Sequence, residues 1–260
     1  MYPTLLTPGL LEAVSVFVAG SSIYLVAVHT TFFTLAARKS GISPRAQALA
    51  PLLVAGGLAA WSGWAIISVS ERVVAPEPWV VGAFTVQAPS LLLAMSVMTI
   101  LGIVVLFASK TIGAINAAMP PSWLIAVQTY RVEGVMFLWP FLAAHALPKG
   151  FALPAGIGDV LTGIFAPFVA RAVAQNRPGA YRSAIIWNWF GILDLVVAVT
   201  TAVVTQSTNI ARFPIVIVPL FLGPPLGILT HLYSLRNLRV TRKAQPVVNV
   251  ADESLCALTS

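Results

Sequence analysis

The chain has 260 residues, of which 58% are apolar and only 9% charged, with a formal net charge of +7. A water-soluble domain carries about 25% charged residues, so a conventional solvated enzyme domain is excluded. The positive balance does not point to nucleic acid either, because the basic residues stand in the connections between apolar runs, where they set orientation.

Seven apolar runs follow one another along the chain, expected at 11–36, 46–70, 88–109, 122–147, 153–174, 183–205 and 213–235. Runs of about 20 apolar residues match the hydrocarbon core of a bilayer. They are continuously apolar, whereas barrel strands would alternate apolar and polar residues. Proline and glycine punctuate the short connections, as in Gly41-Ile42-Ser43-Pro44, Pro76-Glu77-Pro78, Pro120-Pro121, Pro148-Lys149-Gly150 and Arg177-Pro178-Gly179. The N-terminus shows no basic leader or small-residue cleavage site, so 11–36 is read as a retained span. The expected fold is an all-α, seven-span membrane bundle over residues 1–235. A polar, mobile cytoplasmic tail is expected over 236–260. The single cysteine, Cys256, lies in that tail and forms no intrachain disulfide.

Lysine and arginine set the orientation. Arg38, Lys39, Arg45, Lys110, Arg171, Arg177, Arg182, Arg236, Arg239, Arg242 and Lys243 fall on one side; Arg72, Lys149 and Arg212 fall on the other. The N-terminus is therefore expected outside and the C-terminus in the cytoplasm. Trp79, Trp123 and Trp187 are expected at the interfaces, where indoles anchor.

Ionisable groups within a span are costly, so each is a functional candidate with a partner to be found. The fourth run holds Arg131 and Glu133, the fifth Asp159 and the sixth Asp194. Depth along the helices places Glu133 and Asp194 near the midplane and Asp159 in the outer third. Arg131 and Glu133, two residues apart, face different neighbours, and Asp194 is the expected partner of Arg131. Glu133 is expected to share a proton or hydrogen bond with Tyr130 or Asp159. Gly156, Asp159 and Gly163 share one helical face, and Asn188, Gly191 and Leu195 another, with Asp194 at its edge. Small residues let backbones approach and Asn bonds across helices, so these faces either pack closely or line a cavity. The bland alternative is a buried ion pair that fixes helix register.

In the seventh run, Gly223, Pro224 and Pro225 break the helix, because two prolines remove two backbone donors. Such breaks free carbonyls that line ion or substrate sites, or they are simple kinks. His29 and His231 share a depth near the inner face and are candidate ligands for a b-type haem or a metal; satisfied interfacial histidines are the competing reading. His145 is expected at the outer interface. The chain has no CxxC, HExxH, Walker loop or Gly-x-Ser-x-Gly elbow. The architecture resembles that of microbial rhodopsins, but the last run lacks the lysine that retinal requires.

Two segments, Phe151-Ala152-Leu153-Pro154-Ala155-Gly156-Ile157-Gly158-Asp159 and Trp187-Asn188-Trp189-Phe190-Gly191-Ile192-Leu193-Asp194-Leu195, resemble uncharacterised bacterial seven-helix membrane proteins. The resemblance covers about the second half of the chain. It implies a bacterial inner membrane and the same helix count, and no activity.

The leading expectation is a multi-pass membrane protein that binds or moves a small solute, ion or proton. The site is Arg131, Glu133, Asp159, Asn188 and Asp194, with the Gly223–Pro225 break as a flexible wall. A homo-oligomer would compensate for the small size. The alternatives are a redox or metal protein using His29 and His231, an enzyme on a lipid-like substrate using the carboxylates as acid and base, and a scaffold acting through its tail.

Overall fold

The computed structural model describes residues 8–70, 79–81, 84–86, 89–142, 145, 147–205 and 223–244. The described chain is helical except for a hairpin of β1 (Trp79–Val81) and β2 (Phe84–Val86), antiparallel with Val80 opposite Thr85. The helices are α1 (Pro8–Ala37), α2 (Pro44–Ser70), α3 (Pro89–Ala108), α4 (Lys110–Ala118), α5 (Pro121–Val127), α6 (Lys149–Ala174), α7 (Ala180–Val204) and α8 (Pro224–Ala244). Proline opens α2, α3, α5 and α8. At a first helical position its fixed φ suits the helix and its missing N–H had no intrahelical partner to lose. Gly41 and Gly179, at φ +68 and +77, make the left-handed turns before α2 and α7.

Four helices are long and apolar enough to cross a membrane: α1, α2 (over Pro44–Ala65), α6 and α7. The pair α3–α4 reaches that length and apolarity only when taken together, as a broken span or a re-entrant loop; it turns by 84° where Ser109 leaves the helical region and caps α4 through Ile112 N–H. The expected third span, 88–109, coincides with α3, and the short helix α4 lies in the connection beyond it. The expected fourth span is not one α-helix. After α5 the chain tightens into a 3₁₀ segment, Gln128–Gly134, and then widens into a π segment, Phe137–Leu142. The expected seventh span is described only from Gly223 onward; residues 213–222 lie outside the described residues. Pro224 and Pro225 therefore form the first turn of α8.

Many large apolar side chains face outward while a set of polar ones is buried with the apolar core. Leu53, Phe168, Ile23 and Leu193 are more than half exposed, while Asn116, Gln128, Asn188, His231, Ser234 and Asn237 are fully buried. Patches of that extent are rare on soluble monomers. α6 packs most closely on α7 and on the 3₁₀ segment. Small residues permit it: Ala152, Ala155, Gly156, Gly158, Gly163, Ala166 and Ala170 of α6 are buried. Trp187 is buried within the bundle. It donates to Thr162 O at 3.3 Å and lies 5.0 Å from the His231 ring. Trp123 stacks on Phe32, and the side chain of Trp79 lies outside the described ones.

The end of α3 and the start of α7 both meet the basic last part of α8. Arg236 donates to Leu106 O and sits over Phe107, Tyr181 donates to Leu238 O at 2.5 Å, and Arg242 lies over Tyr181. Helix α8 runs on to Ala244 with Asn237 and Leu238 buried, nine residues beyond 235. The last helix therefore includes the start of the expected tail, and residues 245–260, with Cys256, lie outside the described residues.

Candidate functional site

Arg131 is the centre of the site. It sits in the 3₁₀ segment with 2% of its surface exposed. Its Nε donates to Asp159 Oδ1 at 2.7 Å, one terminal nitrogen pairs with Asp194 Oδ2, and the other donates to Gly191 O at 3.2 Å. These are the two ion pairs among the described residues. Three segments supply them: the 3₁₀ segment, α6 and α7.

The same guanidinium reaches α8. Its Nη1 lies 3.3 Å from His231 Nε2, and His231 Nδ1 lies 3.0 Å from Asn188 Oδ1. The amide orientation of Asn188 follows from its Nδ2 donating to Ala184 O at 2.8 Å. Asn188 therefore presents its oxygen, His231 Nδ1 must carry the hydrogen, and Nε2 accepts from Arg131. One chain of donors and acceptors runs from Arg131 through His231 to Asn188.

Glycines make the approach possible. A Cβ at Gly158 would fall on the Asp194 carboxylate, and one at Gly191 would fall on the His231 ring. A Cβ at Gly134 would meet Asp159, and one at Gly163 would meet the backbone at Arg131 and Val132. Each charged group thus lies against a residue with no side chain.

Glu133 points elsewhere. The two-residue step in a 3₁₀ helix is about 240°, which turns Glu133 away from the guanidinium. Its carboxylate lies near Ser21 of α1 and within electrostatic reach of Asp159. Its Oε2 is buried and has no hydrogen-bond partner. Asp159, one of the two expected partners of Glu133, gives its Oδ1 to Arg131. Asp159, not the expected first partner of Arg131, bonds its guanidinium as well. The helix α6 that carries it starts at Lys149, four residues before the expected 153.

His29 and His231 are not presented to a common ligand. His29 Nδ1 bonds Leu25 O at 2.8 Å and its Nε2 lies 3.4 Å from Thr230 Oγ1, whereas both nitrogens of His231 serve Arg131 and Asn188. No group of three or more His, Cys, Asp or Glu suited to a metal occurs among the described residues. His231 had looked interfacial because Arg236 was read as the membrane edge. Since α8 continues to Ala244, His231 falls inside the bundle. His145 is exposed.

Two members of the site escaped the sequence reading. The Gly191 carbonyl is a backbone acceptor with no sequence signal beyond the glycine. Gln128 is fully buried and donates to Gly227 O at 3.2 Å, with its Oε1 unpartnered. An uncharged amide three residues before Arg131 was the available hint. Gln128 ties the 3₁₀ segment to the first turn of α8, where a Cβ on Gly227 would crowd Leu195. The Gly223–Pro225 break thus begins a helix that touches the site's own segment.

Residues 88–239 match the model of a family described as Domain of unknown function (DUF8737). The match covers more than half of the chain and every residue of the Arg131 cluster, and the chain belongs to that family. No curated protein and no solved structure matches the chain.

Proposed function

We propose that this member of the DUF8737 family is a multi-pass membrane protein that binds and moves a proton or small cation through the cluster around Arg131. The observation that carries this reading is a charge imbalance in a buried place. One guanidinium stands between two carboxylates, and a third, Glu133, lies behind them with one oxygen unpartnered. With all three ionised the group holds an excess of negative charge. Two uncompensated charges in a low-dielectric interior cost several kcal/mol by order of magnitude, and protons or monovalent cations supply the balance. His231 adds no cation, since it turns a lone pair toward Arg131.

The interrupted helices support movement as well as binding. The 3₁₀ segment carries Arg131, and α8 begins at two prolines beside it. Discontinuous helices at that depth are a recurring device of transporters, and a 3₁₀ stretch within a span is a common hinge. The path runs between α1, which holds Ser21 against Glu133, and the α6–α7 pair, which holds the aspartates.

Seven crossings follow on this reading. Five come from α1, α2, α3 with α4, α6 and α7. The stretch 121–142 adds a sixth, since its α, 3₁₀ and π turns together extend about 30 Å. The seventh is 213–235, of which α8 supplies the described part. The basic end faces the cytoplasm and the N-terminus lies outside, in a bacterial inner membrane. A homo-oligomer would enlarge the small bundle.

Protein reconstituted in vesicles with an internal pH dye tests the proposal. An imposed potential should drive dye-detected proton or sodium-coupled movement, and Glu133→Gln or Asp194→Asn should abolish it. Vesicles equally tight with and without the protein, for protons and for alkali cations, would reject it. Topology has its own check: reporters after Lys110 and Arg177 should read cytoplasmic, and those near Glu77 and Lys149 external.

A further inference from the structure

Away from the charge cluster, α2 and α3 do not close on each other. Helix α2 packs on α1, and α3 packs on α8, where Gly102 lets Leu229 come in. Between them runs an open groove of about 950 Å³. That is the upper end of small-molecule sites, about 300–1,000 Å³. Its wall along α2 runs from Arg45 to Trp64, about 28 Å by helical rise. The lining is apolar over most of that length, and Gly57 on it faces open space with nothing within 4 Å of an added Cβ.

One end of the groove is different. Ser43, Arg45, Ser109 and Thr111 line it. Arg45 is exposed and makes no ion pair among the described residues. The acidic side chains that the structure describes are Glu12, Glu133, Asp159 and Asp194, and none of them lines the groove. Long and apolar with a single unneutralised cation and hydroxyls at its mouth, the groove matches one chemistry: an anionic headgroup joined to hydrocarbon chains.

We propose that this groove holds an anionic glycerophospholipid, its phosphate at Arg45 with the hydroxyls of Ser43 and Thr111, and its acyl chain against Gly57, Trp64 and Leu101. A guanidinium forks onto phosphate oxygens, and the acyl chain fills the face of α2 that none of the described side chains covers. The site is separate from the Arg131 cluster. It requires the chain to sit in a bilayer but not to move any ion.

The test uses full-length protein in detergent with phosphatidylglycerol or phosphatidylcholine of matched, bromine-labelled chains. Bromine quenches nearby tryptophan, and the part of the signal lost in Trp64→Phe is assigned to Trp64. Phosphatidylglycerol should quench Trp64 saturably, at about fivefold lower lipid fraction than phosphatidylcholine. Arg45→Gln should erase that preference at an unchanged unfolding midpoint, and Gly57→Phe should reduce quenching by both lipids. Equal quenching by both lipids in the unmodified protein, or a preference that survives Arg45→Gln, overturns the proposal. It also falls if Trp64 becomes accessible to lipid only after deletion of residues 245–260, or only after a dimer is diluted apart. The occupant would then be that segment or a second copy of the chain.

Discussion

The two halves of the bundle handle glycine in opposite ways. On α6 and α7, Gly158 and Gly191 have charged or aromatic groups lying where a Cβ would be; on α2, Gly56, Gly57 and Gly63 face nothing within 4 Å. The first half is built around a fixed polar network, from Arg131 through Asp159, Asp194, His231 and Asn188. The second, α1 to α3, presents apolar side chains outward and leaves a groove between α2 and α3. Buried charge demands close, specific neighbours, because an unpaired ion in a dry interior is expensive. Apolar surface in lipid makes no such demand, since lipid tails are as apolar as leucine.

The largest test of this contrast is Arg131→Leu, which strands two carboxylates. It should lower stability by about 3–5 kcal/mol, read as lost folded yield or a lower unfolding midpoint in detergent. Asp194→Leu added to it should recover only part, because Asp159 remains unpaired; Arg131→Leu with both aspartates changed to Asn should recover more. Strictly additive losses would mean the three are not a unit.

Next in size is Gly158→Ala. Its methyl group displaces the Asp194 carboxylate from Arg131 and should cost about 1–3 kcal/mol. A variant as stable as the parent would show that the α6–α7 approach is looser than described.

Asn188→Leu should have a related but smaller effect. It leaves the His231 Nδ1–H buried without an acceptor, a loss of about 1–3 kcal/mol that relaxation of the imidazole reduces. Nitrogen NMR of labelled histidine should show the Nδ1–H tautomer in the parent and a changed signal in the variant. An unchanged tautomer signal would break the assignment of that hydrogen bond.

The smallest effect, and of opposite sign, is expected at Gly56→Ala. Alanine in an open helix interior should stabilise by about 0.5–1 kcal/mol. A loss there as large as at Gly158 would remove the distinction between the halves.

Arg131, Glu133, Asp159, Asn188 and Asp194 were legible as candidates because ionisable and amide groups stand out within apolar runs. Their partners were less legible. Asp159 was set behind Asp194 as a partner of Arg131 although both bond it, and His231 was read beside His29 rather than with Arg131 and Asn188. The change from α to 3₁₀ at Gln128 has no local sequence signature, since no glycine or proline lies within that segment before Gly134. The hairpin of β1 and β2 fell in a connection read only as punctuation.

By itself the sequence determined the all-helical character, several helices apolar enough to span a membrane, and the short roster of buried groups that must find partners. Composition and run length decide these, because each is a property of a segment and its solvent. Only the tertiary structure decided that Asp159 and Asp194 share Arg131, that Glu133 turns to Ser21 and that His231 joins the cluster. Those choices depend on where each helix starts, how far its turns are wound, and which helix stands beside it. Periodicity along a single segment gives a residue's direction around its own axis, but not the neighbour that lies in that direction.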